Sequence, residues 1–237
     1  LGSRGLLVAD HERRDAYKRE LAWPADHAAS LGLGPDADRG LESVVRAFRP
    51  TVLIGTSGQP GCFGEGLVRE MVRHCERPVI LPFSNPSDLS EAVPGDVLRW
   101  TDGRALVGTG SPFPPVELGG RRISIGQGNN VLVFPGLGLG VLLGGIRVVT
   151  DEMLTAAAFT LTGKVTDAEL ASGMLFPAVS RLREISAAVA AAVIANSRGA
   201  PVTTPPPQSL VDAVRERMWE PRYEEYVAVG GEGGATS

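Results

Sequence analysis

Two kinds of stretch in this chain have residues suited to holding a small anion. The first is Gly126-Gln127-Gly128-Asn129-Asn130, followed by the apolar run Val131–Phe134 and then Pro135-Gly136. Side-chain amides carry both donors and acceptors. Held at the head of a helix, beside free backbone N–H groups, they suit a small anionic ligand. Asn and Gly also form turns for backbone reasons alone, so this stretch by itself also reads as a plain amide-rich turn. The second kind is a series of small polar loops: Gly55-Thr56-Ser57-Gly58, Ser84-Asn85-Pro86-Ser87 and Gly108-Thr109-Gly110-Ser111-Pro112. One such loop carries little information. Three in series, leading into Asn129-Asn130, point to a nucleotide or small-anion site.

Residues for acid–base or metal chemistry are scarce by comparison. His11, His27 and His74 are scattered and read as surface or packing residues. Cys62 lies in a Pro-Gly-Cys-Phe turn without an identifiable basic partner and reads as a small buried thiol. Cys62 and Cys75 make neither a disulfide framework nor a metal knuckle. The acids Asp88, Glu91, Asp96, Asp102 and Asp151 are dispersed, with no spacing that pairs two of them on a metal. No Walker-type loop is present. The Gly136-x-Gly138-x-Gly140 periodicity sits in an apolar helix and reads as close helix packing.

The elements that must carry these loops follow from the pattern around them. Thr51–Ile54, Pro78–Leu81 and Ala105–Val107 are short apolar runs, each emptying into one of the polar loops. Such runs suit parallel strands covered on both faces, and ligands of open α/β sheets bind at the carboxyl ends of the strands. Leu41, Val44, Val45 and Phe48 predict a helix closed by Pro50, and Leu67, Val68, Met71, Val72 and Cys75 predict another. From Thr150 the chain turns helical: an N-cap with two acids in the first turn, a capping box over Thr166–Glu169, and a stripe of Leu182, Ile185, Val189 and Val193 with Gly199 at the C′ position. These helices are expected to serve packing and assembly. Pro205-Pro206-Pro207 is a stiff spacer before a last amphipathic helix through Leu210, Val211, Val214 and Met218. The Gly-rich tail 230–237 is expected to be disordered.

The 237 residues, 43% apolar and 21% charged, suit a folded protein, and a net charge of −4 without a basic block argues against a nucleic-acid surface. The apolar stretches are too short or too glycine-broken to span a bilayer, and no signal peptide is visible. The cytoplasm is the expected compartment.

Four ordered motifs then carry a family resemblance: Ile54-Gly55-Thr56-Ser57-Gly58-Gln59; Leu81-Pro82-Phe83-Ser84-Asn85-Pro86; Trp100-Thr101-Asp102-Gly103-Arg104-Ala105 with Thr109–Phe113; and Gly126–Asn130 with Phe134-Pro135-Gly136. In order and spacing they resemble the cofactor-binding domain of malic enzymes. Thr150-Asp151-Glu152-Met153 and Trp219-x-x-x-Tyr223 look like the C-terminal helices of that family. The resemblance implies an incomplete Rossmann-type, doubly wound, mostly parallel α/β sheet with C-terminal helices. Residues 1–200 would be a partial NAD(P)-binding domain, 201–229 a helical extension and 230–237 a tail. It implies oxidation of L-malate with NAD or NADP, then decarboxylation to pyruvate and CO₂ with Mg²⁺ or Mn²⁺, in a homo-oligomer. Asn85, Asn129 and Asn130 would hold malate. Gly55, Thr56, Ser57, Gly58 and Ser84 would lie against the cofactor, with Asn85 beside its nicotinamide end.

The departures from the family pattern set further expectations. The tyrosine and lysine that move protons in the family, its three acidic metal ligands and its glycine-rich phosphate loop all fall upstream of Leu1. Where the family has an acid for the adenosine ribose, this chain has Gly2, Ser3 and Arg4. The chain alone is therefore expected not to turn over malate. The competing readings are a catalytically dead nucleotide-binding or interaction module, assembled through Val179–Ala195, and, more distantly, another Rossmann dehydrogenase.

Overall fold

The computed structural model describes residues 5–9, 16–197, 205–220 and 223. Gly2, Ser3, Arg4, His11, Gly199 and the tail 230–237, about which the sequence raised expectations, lie outside the described residues. The first half runs α1 (Ala16–Glu20), α2 (Ala25–Ser30), α3 (Leu41–Phe48), β1 (Val52–Gly55), α4 (Glu65–His74), β2 (Val79–Pro82), α5 (Pro94–Trp100) and β3 (Leu106–Thr109). A two-stranded hairpin, β4 (Val116–Leu118) and β5 (Arg121–Ile123), precedes the short strand β6 (Gly126–Gln127). The remainder is helical: α6 (Phe134–Gly144), α7 (Asp151–Thr162), α8 (Asp167–Ala171), α9 (Leu182–Ala195) and α10 (Gln208–Glu216).

The four strands β1-β2-β3-β6 pair in that order, all parallel, with Val52 opposite Val79, Ile80 opposite Val107 and Thr109 opposite Gln127. The three apolar runs are thus strands, as their β-branched content and flanking loops predict, and the α/β reading holds. The Gly126-Gln127 pair, read from sequence as loop, instead adds the fourth strand. Gly126 is admitted because a Cβ there would lie 2.9 Å from the Leu175 amide nitrogen. The expectation that both faces of every strand are covered fails at β1. Leu53 and Gly55 face the core, whereas Val52 and Ile54 on the other face are exposed at this sheet edge. The β4–β5 hairpin, turned by Gly119 and Gly120 at positive φ, went unread although Val116-Glu117-Leu118 alternates and a Gly-Gly pair is a hairpin signal.

Of the four apolar clusters among the described residues, two carry the loops. The sheet core joins Leu53, Ile80 and Val107 to Leu67, Val68 and Met71 of α4 and Val97 and Leu98 of α5. Those α4 positions are the apolar stripe of the helix, and burial of each such side chain contributes about 1.5–3 kcal/mol. The helical core packs α6 and α7 on α9 through Leu137, Met153, Ala157, Ile185, Val189 and Val193. Here the single-stripe expectation is corrected. Every residue from Ile185 to Val193 is buried, because α10 covers Ala187, Ala190 and Ala191 on a second side. The stretch Ile185–Val193 is thus occupied by contacts within the chain, while Val179, Ser180 and Arg183 of the same segment are exposed. The capping box forms as read: Thr166 accepts from the Glu169 amide and the Glu169 carboxylate accepts from the Thr166 amide. No helix among the described residues is long and apolar enough to cross a membrane.

Candidate functional site

The parallel ladder runs past the strand ends into the loops. The Phe83 amide donates to the Gly55 carbonyl at 2.8 Å, the Gly110 amide to the Pro82 carbonyl at 3.2 Å, and the Gly128 amide to the Thr109 carbonyl at 2.8 Å. All four strands therefore release their loops at one carboxyl edge, which is where the open α/β architecture places ligands. The residues singled out from sequence lie along this edge, on four neighbouring loops.

Side chains then tie the loops together. The Gly58 amide donates to Ser84 Oγ at 2.8 Å, and Ser111 Oγ donates to Asn85 Oδ1 at 3.0 Å. Thr109 Oγ1 donates to the Ser111 carbonyl at 2.7 Å, and Gln127 Nε2 to the Gly110 carbonyl at 3.0 Å. A continuous polar path links Gly58, Ser84, Asn85, Ser111, Gly110 and Gln127. With its oxygen taken by Ser111, Asn85 keeps an NH₂ donor that has no partner among the described residues. Ser84 and Ser111 are buried, while Thr56, Ser57, Gly58 and Asn85 are exposed. The working surface is thus a solvent-facing row on a buried polar footing. Gly58 has a φ of +63° with open space where a Cβ would project, a backbone state for which glycine is the ordinary residue.

Asn129 and Asn130 are not equivalent. Asn129 caps the 3-10 turn Asn130–Leu132, its Oδ1 accepting from the Val131 amide at 2.9 Å. Leu132 and Val133 donate to the Asn129 and Asn130 carbonyls, each at 3.0 Å. The amides of residues 131–133 are consumed within the turn. The expectation of free backbone N–H groups beside the asparagine pair is corrected accordingly, and any donors this loop offers an anion from those positions come from the side chains. Asn129 retains its NH₂, and Asn130 is exposed. Beneath them Phe83 and Phe176 pack with ring centroids 5.8 Å apart, and a Cβ on Gly128 would lie 2.7 Å from the Phe83 ring.

Glu91 was passed over in the sequence as one of several dispersed acids, and it is fully buried under the row. Burial alone pushes its carboxyl up, but hydrogen bonds from Ser84 and from the Ser57 amide outweigh that and hold it below its ordinary value, hence ionised. A carboxylate six places after Asn85, inside Leu89-Ser90-Glu91-Ala92-Val93, was the available signal: an acid in small and apolar company needs compensating donors. Ser111 and Gln127 were also missed as site residues. Cys62 is half-buried, with its thiol pushed up chiefly by burial, and its Sγ lies 3.7 Å from Ser57 Oγ. His74 bonds Glu70 at 3.0 Å on α4, and His27 lies against Trp23, so both are accounted for locally.

Among the described residues no three His, Cys, Asp or Glu side chains gather in a way that would hold a metal ion. A cavity of about 380 Å³ lies at the opposite end of β2 and β3, bounded by Arg77, Asp102, Arg104 and Arg121, and includes none of the loop residues above.

Residues 1–198 match the family described as "Malic enzyme, NAD binding domain". The chain is 43% identical over 226 residues to the NAD-dependent malic enzyme 3 of Bacillus subtilis (strain 168), covering 95% of this chain and 40% of that protein. It is 43% identical over 224 residues to the NAD-dependent malic enzyme of Sodalis glossinidius (strain morsitans), covering 94% and 39% respectively. To that of Pseudomonas aeruginosa (strain UCBPP-PA14) it is 42% identical over 224 residues, covering 94% and 40%. The chain therefore spans about 40% of the length of the curated relatives it matches.

Proposed function

The chain belongs to the malic enzyme family, and from that premise we propose that it forms the dinucleotide- and substrate-facing side of an enzyme that oxidises L-malate and decarboxylates the product to pyruvate and CO₂ while reducing NAD. The observation that carries the reading is the hydrogen-bonded row at the strand ends, where Asn85, Asn129 and Asn130 sit on loops flanking Phe83. Neutral amides can orient a dianion without adding charge of their own, and each charge-assisted hydrogen bond contributes about 1.5–3 kcal/mol. The Asn85 and Asn129 NH₂ groups donate to malate oxygens, and Asn130, exposed at the edge, contributes from the far side.

The Gly55–Gly58 loop carries the dinucleotide, Gly58 leaving room for it, while Gly55 has no side chain because Glu91 and Phe63 fill the place of a Cβ. The dinucleotide supplies the hydride acceptor. Donors on this row are hydroxyls, amides and glycine backbone, a set that fits the polar, neutral carboxamide and ribose of a nicotinamide nucleoside. The named relatives are NAD-dependent, which favours NAD over NADP here. A divalent cation belongs to the proposed reaction, and the described residues assign it no ligands. We place the protein in the cytoplasm as a homo-oligomer. Exposed Leu142 of α6 and Phe159 of α7 favour assembly.

The test is NADH formation from malate and Mn²⁺ by the protein at its natural length, with Asn85→Ala and Asn130→Ala alongside. The reading expects malate-dependent turnover that falls in both variants with the fold intact. NAD bound without any turnover would instead favour a binding module. The 237 residues by themselves are expected to give no NADH.

A further inference from the structure

Among the described residues Glu91 is the only charged side chain that is buried, with an exposure of 0%. No Lys or Arg pairs with it among those residues. Its compensation comes from four donated hydrogen bonds, all from two serines. Oε1 accepts from the Ser57 amide at 2.6 Å, Ser57 Oγ at 2.9 Å and Ser84 Oγ at 2.5 Å, and Oε2 accepts from the Ser84 amide at 3.2 Å. Ser57 belongs to the loop after β1. Ser84 belongs to the loop after β2 and immediately precedes Asn85. Ser84 Oγ also accepts from the Gly58 amide, so one carboxylate organises both loops. Its own carbonyl accepts from the Phe63 amide at 2.9 Å, and the Phe63 ring lies where a Gly55 Cβ would project, 2.7 Å away.

A buried carboxylate is a costly way to fill space, and an apolar residue would fill it without that cost. What only a carboxylate supplies is an acceptor for several donors at once, on two separate segments. A glutamine has a single, uncharged acceptor oxygen for the three donors on Oε1, and its NH₂ would be set against the Ser84 amide that Oε2 accepts from. Hydride transfer depends on donor and acceptor spacing, and a misplacement of about 1 Å can cost about a hundredfold in rate. We infer that Glu91 is a positioning residue that sets the spacing between the dinucleotide loop Gly55–Gly58 and the substrate amide of Asn85, without touching either ligand. This rests on the malate reading of the same row.

The test uses Glu91→Gln and Glu91→Asp in the protein at its natural length, with two readouts. Amide hydrogen exchange reports the brace itself: Glu91→Gln should speed exchange at Ser57 and Ser84 by about tenfold or more, leaving Ile80 and Val107 in the strands unchanged. Steady-state kinetics per folded site report positioning: kcat/KM for malate should fall about 10- to 100-fold, with recovery in part for Glu91→Asp, which keeps the charge. Unchanged exchange in Glu91→Gln would overturn the inference. So would a lowered melting temperature with kinetics per folded site within about twofold of wild type, the mark of a merely structural role. If Glu91→Gln does not fold, Ser57→Ala and Ser84→Ala each remove one arm, and wild-type exchange and kinetics in both would overturn it equally. A wild-type protein that forms no NADH from malate sinks the malate reading, and the exchange data then decide the brace by themselves.

Discussion

Among the described residues, Asn85 and Asn129 each have one end of the amide committed and the other without a partner, whereas Asn130 has neither end bonded, and these differences have separable consequences. Ser111 holds the Asn85 oxygen, so Ser111→Ala lets that amide rotate. One neutral hydrogen bond contributes about 0.5–1.5 kcal/mol, so the KM for malate should rise about 2- to 10-fold with little change in melting temperature. Asn129 divides its amide between a cap and a donor. Asn129→Asp keeps the cap oxygen but turns the donor into a negative charge facing a dianion. Thermal stability should change by less than about 1 kcal/mol while malate affinity falls by tenfold or so. Equal losses in both would show that the cap, not the donor, is what matters. Glu91 also sets a pH dependence. Its folded value lies below the ordinary 4.5, so the unfolded chain binds the proton more readily. The stability it contributes is complete above about 4.5 and is lost as pH falls through the lower folded value. Urea melts from pH 7 to pH 3 should show a shallower acid loss in Glu91→Gln than in wild type.

At the scale of elements, the glycines of α6 show how a short sequence repeat divides into unlike positions. A Cβ at Gly136 would lie 2.7 Å from Val189 Cβ, and one at Gly140 would lie 2.8 Å from the Ala190 carbonyl oxygen. These two glycines let α6 approach α9 closely. Gly138, on the other side, faces nothing within 4 Å. Gly136→Ala and Gly140→Ala should each destabilise by about 1–3 kcal/mol through overpacking, whereas Gly138→Ala should stabilise by about 0.5–1 kcal/mol by lowering unfolded-chain entropy. Chemical denaturation of the three variants separates the cases. The repeat was legible in the sequence as close packing, but its split was not, since Gly138 looks the same as its neighbours until α9 is in place.

Over the whole molecule, the helical half supports the loop row through Leu132, packed on α9, and through the segment around Phe176. Phe176 packs on Phe83, and its ring lies 2.9 Å from where a Gly108 Cβ would project and 3.1 Å from the position at Gly128. That segment is held by Glu169, which accepts from the Ala178 amide at 2.8 Å and pairs with Arg181 at 3.0 Å. Arg181 in turn pairs with Glu184 on α9 at 3.1 Å. Removing the ring in Phe176→Ala should cost about 3 kcal/mol of stability and should weaken malate binding, because both asparagine loops rest on the Phe83–Phe176 pair. Unchanged malate KM in the folded fraction would show that the loops hold their shape without it.

What the sequence determined by itself is what local chemistry can specify. The strand runs, the polar loops after them, the capping box at Thr166, the proline opening α6 and the amide pair all follow from periodicity and backbone preference within a few residues. What only the tertiary structure decided concerns residues brought together by the parallel sheet. Ser57 and Glu91 are 34 positions apart, and their bond exists because β1 and β2 lie side by side in one register. The same holds for Ser111 on Asn85, 26 positions away, and for the enclosure of α9 by three helices. The small and apolar neighbours of Glu91 hint that it is buried, but nothing near it in the chain shows how it stays charged, because its donors Ser57 and Ser84 come from other loops.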